Sequence, residues 1–103
     1  MKIIATLADM IDDEVSGAKE YICWACKTKE KDPTLSKTFY ELSKVEMGHM
    51  DILHSQVTRL IEEERAKNNE PNESMMAMYE LLHKKHIECA AQVKLMQDEY
   101  SRK

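Results

Sequence analysis

Cys26-Lys27-Thr28-Lys29-Glu30-Lys31-Asp32-Pro33-Thr34-Leu35-Ser36 is the stretch whose reading decides the fold. Upstream of it, apolar residues recur every three or four positions back to Ile3, and downstream they recur again out to Leu60, so two long amphipathic helices meet here. Asp32 reads as an N-cap, its carboxylate accepting from an orphan backbone N–H, and Pro33 as the first helical residue, where a missing N–H costs nothing. So short a turn makes the second helix double back beside the first. A second break, Asn68-Asn69-Glu70-Pro71-Asn72, ends helix two and offers Asn72 as the cap of a third. The pattern predicts helices over residues 3–30, 33–67 and 73–101, an all-α fold of three long antiparallel helices in one domain spanning 1–103.

Composition agrees with that reading. Two Gly and two Pro in 103 residues leave little material for the turns of a multi-stranded sheet, which argues against all-β, Rossmann and P-loop folds. The net charge is -4 and Lys and Glu are interspersed with no basic run, so no nucleic acid is expected as a partner. No apolar run approaches the ~18 residues of a membrane span, so no membrane partner is expected either. Asp9, Asp12, Asp13 and Glu14 interrupt the N-terminal stretch before a signal-peptide core is complete. Three cysteines, an odd number, are then expected as reduced thiols in a cytoplasmic setting.

Placing residues on helical wheels shows which side chains share the apolar stripe. In the first helix the stripe is Ile3, Ile4, Leu7, Met10, Ile11, Ala18, Tyr21, Ile22 and Ala25, with Glu14 near its centre. In the second it is Leu35, Phe39, Leu42, Val45, Leu53, Val57 and Leu60, with Glu46 and His49 among them. In the third it is Met75, Met78, Tyr79, Leu82, Cys89, Val93 and Met96, with His86 inside it. All these ionisable groups are therefore expected to point inward.

A carboxylate on an apolar stripe demands a reason, since an unpaired buried charge costs several kcal/mol. Glu14 and Glu46 are protonated, paired with His49 and His86, set at a wet bundle end, or bound to metal. Their joint placement singles out the last. The midpoint of positions 14 and 49 falls in the Asp32-Pro33 turn, so Glu14 stands level with His49 across the antiparallel pair. Glu46 lies one turn away on the same face, and an i, i+3 pair converges on one spot. Two carboxylates and one imidazole form an oxygen-rich ligand set that suits iron or manganese better than a thiolate-loving metal. Gly17 and Gly48 lie inside helices within three residues of these ligands, where each costs about 1 kcal/mol relative to Ala; close backbone approach at the site would account for both.

The segment Glu14-x2-Gly17-Ala18-x2-Tyr21-x3-Ala25, followed by Phe39-x2-Leu42-x3-Glu46-x2-His49-x3-Leu53, resembles the first half of a ferritin-like bundle of the rubrerythrin type. The match covers residues 7–60. The rest, with His83-x2-His86-Ile87-Glu88, looks like small ferritin-like proteins of bacteria and their prophages. The resemblance implies that Glu14, Glu46 and His49 are di-iron ligands serving ferroxidase or peroxide-scavenging chemistry, with O2 or peroxide as the other reactant. On that reading Glu46 or its dimer mate bridges the metals and His49 and Glu14 are terminal or bridging ligands, while Tyr21, one to two turns from Glu14 on the same face, is expected to bond a ligand or supply an electron. A complete bundle of this class draws Glu from two helices and Glu-x-x-His from two more, whereas three helices here carry one inward half-set. A two-fold homodimer would complete it, giving four carboxylates and two imidazoles around two metals, as in short ferritin-like proteins that work inside encapsulin shells. The alternatives are a mononuclear structural site, plausibly zinc, in which His86 joins Glu14, Glu46 and His49, and a helical interaction module whose buried polar network turns nothing over.

Other signals carry less. Glu80-x-x-His83 repeats the Glu-x-x-His spacing but faces solvent on the wheel, as does His54. Cys23-x-x-Cys26 has no second pair and lies off the stripe. The methionines of helix three are core fillers. Trp24 and Val15 widen the apolar face of helix one toward helix three or another chain.

Overall fold

A computed structural model of the chain describes residues 2–67 and 73–102. Three helices account for all of them but 29–32 and 67: α1 (Lys2–Thr28), α2 (Pro33–Ala66) and α3 (Glu73–Arg102). The fold is all-α, as the periodicity predicts. Asp32 caps α2 by accepting the Leu35 backbone N–H on Oδ1 at 3.1 Å, with Pro33 in the first turn. The expected break at 68–72 lies outside the described residues. Among the described residues, no helix is long and apolar enough to cross a membrane.

Side-chain bonds set the register. The Ser43 hydroxyl donates to the Ala18 carbonyl at 2.7 Å and the Ser36 hydroxyl to that of Ala25, locking α2 antiparallel to α1. Gln97 donates to Ser43 Oγ at 2.9 Å, and the Tyr100 and Ser36 hydroxyls share a bond at 2.7 Å. α3 therefore runs antiparallel to α2 and parallel to α1, with Lys29 donating to the Tyr100 carbonyl at its end.

On α1 the residues that vanish from solvent are Ile4, Ala8, Ile11, Val15, Ala18, Ile22 and Ala25, each at most 3% exposed. They alternate by four and three, the spacing of helices that coil gently about one another. Burying Ile11, Ile22, Val57 and Val93 contributes about 1.5–3 kcal/mol each. On α2 the matching seam is Ser36, Ser43, Val57 and Ile61, with Met47, Met50 and His54 half-buried between them.

That seam corrects the wheel. Leu35, Leu42 and Val45, expected in the core, are 42%, 37% and 50% exposed, while two serines beside them are wholly enclosed. Small residues bring α1 and α2 together closely, since Ala18 and Ala25 face hydroxyls that donate to their own carbonyls. The leucines are rotated onto the outer side. Met78 of α3 is likewise exposed rather than in the core, and the Met75 side chain lies outside the described residues. α3 packs mainly along α1 and meets α2 at few points. The result is a rod of 56 × 20 × 18 Å with a radius of gyration of 16.4 Å, against about 13 Å for a compact chain of this length.

Candidate metal centre

Glu14 of α1 faces Glu46 and His49 of α2 one step beyond the Ala18–Ser43 contact, as the antiparallel register requires. One donor atom from each lies within 4.8 Å of the other two, and among the described residues no other trio of His, Cys, Asp or Glu converges in this way. His49 Nδ1 stands 3.3 Å from Glu14 Oε2. The level predicted from the midpoint of 14 and 49 is therefore the level observed.

The expected inward orientation is not. Glu14 and Glu46 are half-buried and His49 is exposed, with 51% of its side chain accessible. The cause is the position of α3, which covers the seam from Ile4 to Ala25 and leaves the neighbouring seam of α1 and α2 open. On that open side Ile3, Met10 and Trp24 of α1 and Leu35, Leu42, Val45 and Ile52 of α2 are all exposed, flanking the trio along the rod.

Electrostatics mark the trio as short of positive charge. The Glu46 carboxyl is held above its ordinary value of 4.5, first by a hydrogen bond to Glu14 that exists only while the proton stays, then by partial burial and the Glu14 charge, with His49 opposing. Two carboxylates that resist ionising together, with an imidazole beside them, are what a cation relieves. Gly17 bears on the same carboxylate, since a Cβ there would stand 3.5 Å from Glu46 Oε2. Its absence keeps one flank of the carboxylate clear. A 3.5 Å approach is an ordinary van der Waals contact, and at Gly48 an added Cβ meets nothing within 4 Å, so within one chain close approach requires neither glycine.

Tyr21 lies two turns along α1 from Glu14, half-buried, its ring against Phe39 with centroids 6.2 Å apart. Trp24 leans on the same Phe39 at 6.3 Å and carries Lys27 Nζ 4.8 Å from its ring centroid. His86 is buried as predicted but stands apart from the trio, its Nε2 3.5 Å from Asp12 Oδ1. His54, expected in solvent, is half-buried and stacked on His83 at 4.7 Å, and His83 is stacked in turn on Tyr79 at 5.6 Å. Cys23, Cys26 and Cys89 are free thiols. Glu80 is exposed. Wheel reasoning missed Ser36, Ser43, His54 and Asp12 because it followed only large apolar side chains. The four-and-three spacing of Ser36, Tyr40, Ser43, Met47, Met50, His54, Val57 and Ile61 carried the signal.

No family model matches the chain, and the curated proteins and solved structures give no match either.

Proposed function

We propose that this chain is half of a ferritin-like dimetal carboxylate protein, completed by a second copy and acting on iron with O2 or peroxide. The observation that carries the reading is the convergence of Glu14, Glu46 and His49 within 4.8 Å on the one long face that α3 leaves uncovered. Three donors leave an ion short of ligands, and two-fold pairing of this face supplies the rest. The exposed residues Leu35, Leu42, Val45 and Ile52 repeat at intervals of seven, three and seven, a seam suited to a facing helix. Gly48 lies on that seam with open space above it, which lets a partner helix come close.

The donor set fits the metal. Carboxylate oxygen with one imidazole suits Fe(II) or Mn(II). When bound, a pair of Fe(II) ions supplies the two electrons that reduce one peroxide, with two protons, to two waters. With such a pair bound, Glu46, crowded by Glu14, would serve as the carboxylate shared between the ions. Glu14 and His49 would be the further ligands, and the 3.3 Å contact between them orients the imidazole. Tyr21, in the aromatic group with Phe39 and Trp24, is the candidate one-electron donor.

Metal analysis and sedimentation on one preparation test this. About one iron per chain in a dimer, with O2 consumed on addition of Fe(II), is the expected result. The exposed seam also favours a second reading, a helical interaction module without turnover. That reading predicts association with no iron and a melting temperature that chelation leaves unchanged.

A further inference from the structure

A second group of imidazoles lies on the other side of α2 from the trio. His54 of α2 and His83 and His86 of α3, together with Asp51, line a cavity of about 260 Å³ between the two helices. We propose that this cavity is a zinc site in which His54, His83 and His86, with Asp51 as the fourth donor, tie α3 to α2.

Three things support it. First, the donors come from both sides of the thinnest interface in the molecule, where α2 and α3 otherwise touch little. Second, His86 is 4% exposed and its Nε2 is enclosed with no hydrogen-bond partner, the nearest carboxylate oxygen being Asp12 Oδ1 at 3.5 Å. A carboxylate at that place is the usual outer partner of a metal-bound histidine. By closing a few tenths of an ångström it fixes the Nε2 proton and leaves Nδ1 as the free lone pair. Third, three imidazoles and a carboxylate, with no open position, are the donor chemistry of a closed tetrahedral zinc site rather than of the oxygen-rich trio.

His54 and His83 stack at 4.7 Å with their planes 14° apart, so their in-plane lone pairs run side by side. Coordination turns these half-buried rings about χ1 and χ2 into the cavity they line. With the rings stacked, no three of these four donors lie within 4.8 Å of one another, so binding requires that rotation.

The test uses the full chain carrying Glu14→Gln and Glu46→Gln, which removes the trio and so separates this proposal from the reading above. Titration with Zn²⁺ should give one ion per chain, and Co²⁺ in its place should give the intense visible bands of a tetrahedral nitrogen-rich site. His83→Gln and His54→Gln should each abolish stoichiometric uptake, and Asp12→Asn should weaken it about 10–100-fold. Circular dichroism on each variant checks that it is still helical. Because the Co²⁺ spectrum is read on the chain with all three histidines intact, the result does not depend on those variants folding. Absence of stoichiometric Zn²⁺ uptake, a weak octahedral Co²⁺ spectrum, or uptake that survives His54→Gln and His83→Gln would overturn the proposal.

Discussion

Glu46→Gln should raise the stability of the metal-free chain and remove its response to metal. Glu14 and Glu46 present oxygens no more than 4.8 Å apart. Two unit charges at that distance repel by about 0.9 kcal/mol in water and about 3.5 kcal/mol at an effective dielectric constant of about 20. Glu46 is only half-buried and solvent reaches the pair, so screening holds the figure near the low end, about 1 kcal/mol. Gln keeps the shape and the hydrogen-bonding capacity toward Glu14 while deleting the charge. For a chain of this size a gain of about 1 kcal/mol corresponds to a rise of about 4–8 °C in Tm, and added salt should shrink it. Metal reverses the ranking. On the proposed function, a cation at a free concentration of about 100 Kd should stabilise the wild-type chain by about 2.7 kcal/mol, and the variant, lacking that carboxylate, should gain little. Melting curves of both proteins in chelator and in Mn²⁺ under anaerobic conditions give all four values. If Glu46→Gln melts below wild type in chelator and still shifts upward with metal, the trio is a structural hydrogen-bond network and the metal reading is wrong.

Three further outcomes follow from the geometry. Ser43→Leu, which restores the residue type that an apolar stripe invites, should destabilise by about 1–3 kcal/mol through overpacking and loss of the bonds to Ala18 and Gln97, measured by urea unfolding; a neutral or stabilising result would mean that α1 and α2 are not in close contact there. Val45→Lys, on the open face at 50% exposure, should leave the helical content of the chain unchanged while converting the dimer to monomer and halting iron uptake, read by sedimentation and metal analysis. His83 and His86 have folded pKa values below 6.5, so the unfolded chain binds their protons first. Their contribution to stability is complete above pH 6.5 and drains away as pH falls toward the lower folded values; urea midpoints in chelator should therefore decline through that window, and His86→Gln should flatten the slope.

Secondary structure was legible because its causes are local. The Asp32-Pro33 cap, the three- and four-residue recurrence and the scarcity of glycine and proline sufficed to place α1, α2 and α3 within a residue or two of their ends. The level of Glu14 against His49 followed from counting residues to a turn, since a short connection between straight rods leaves one register. Which flank of α1 and α2 is buried did not follow. Each helix carries two adjacent seams, and a wheel merges them into one broad stripe centred on the largest apolar side chains. Only the docking of α3 chooses between them. It covers the seam where Ala18, Ala25, Ser36 and Ser43 allow close contact, and it leaves Leu42, Val45, Glu14, Glu46 and His49 to the outer face. The same docking draws His54, His83 and His86 together from positions that local periodicity scatters. Helix formation depends on neighbours a few residues away, whereas burial depends on what lies across the bundle, and that is decided only when the third helix packs.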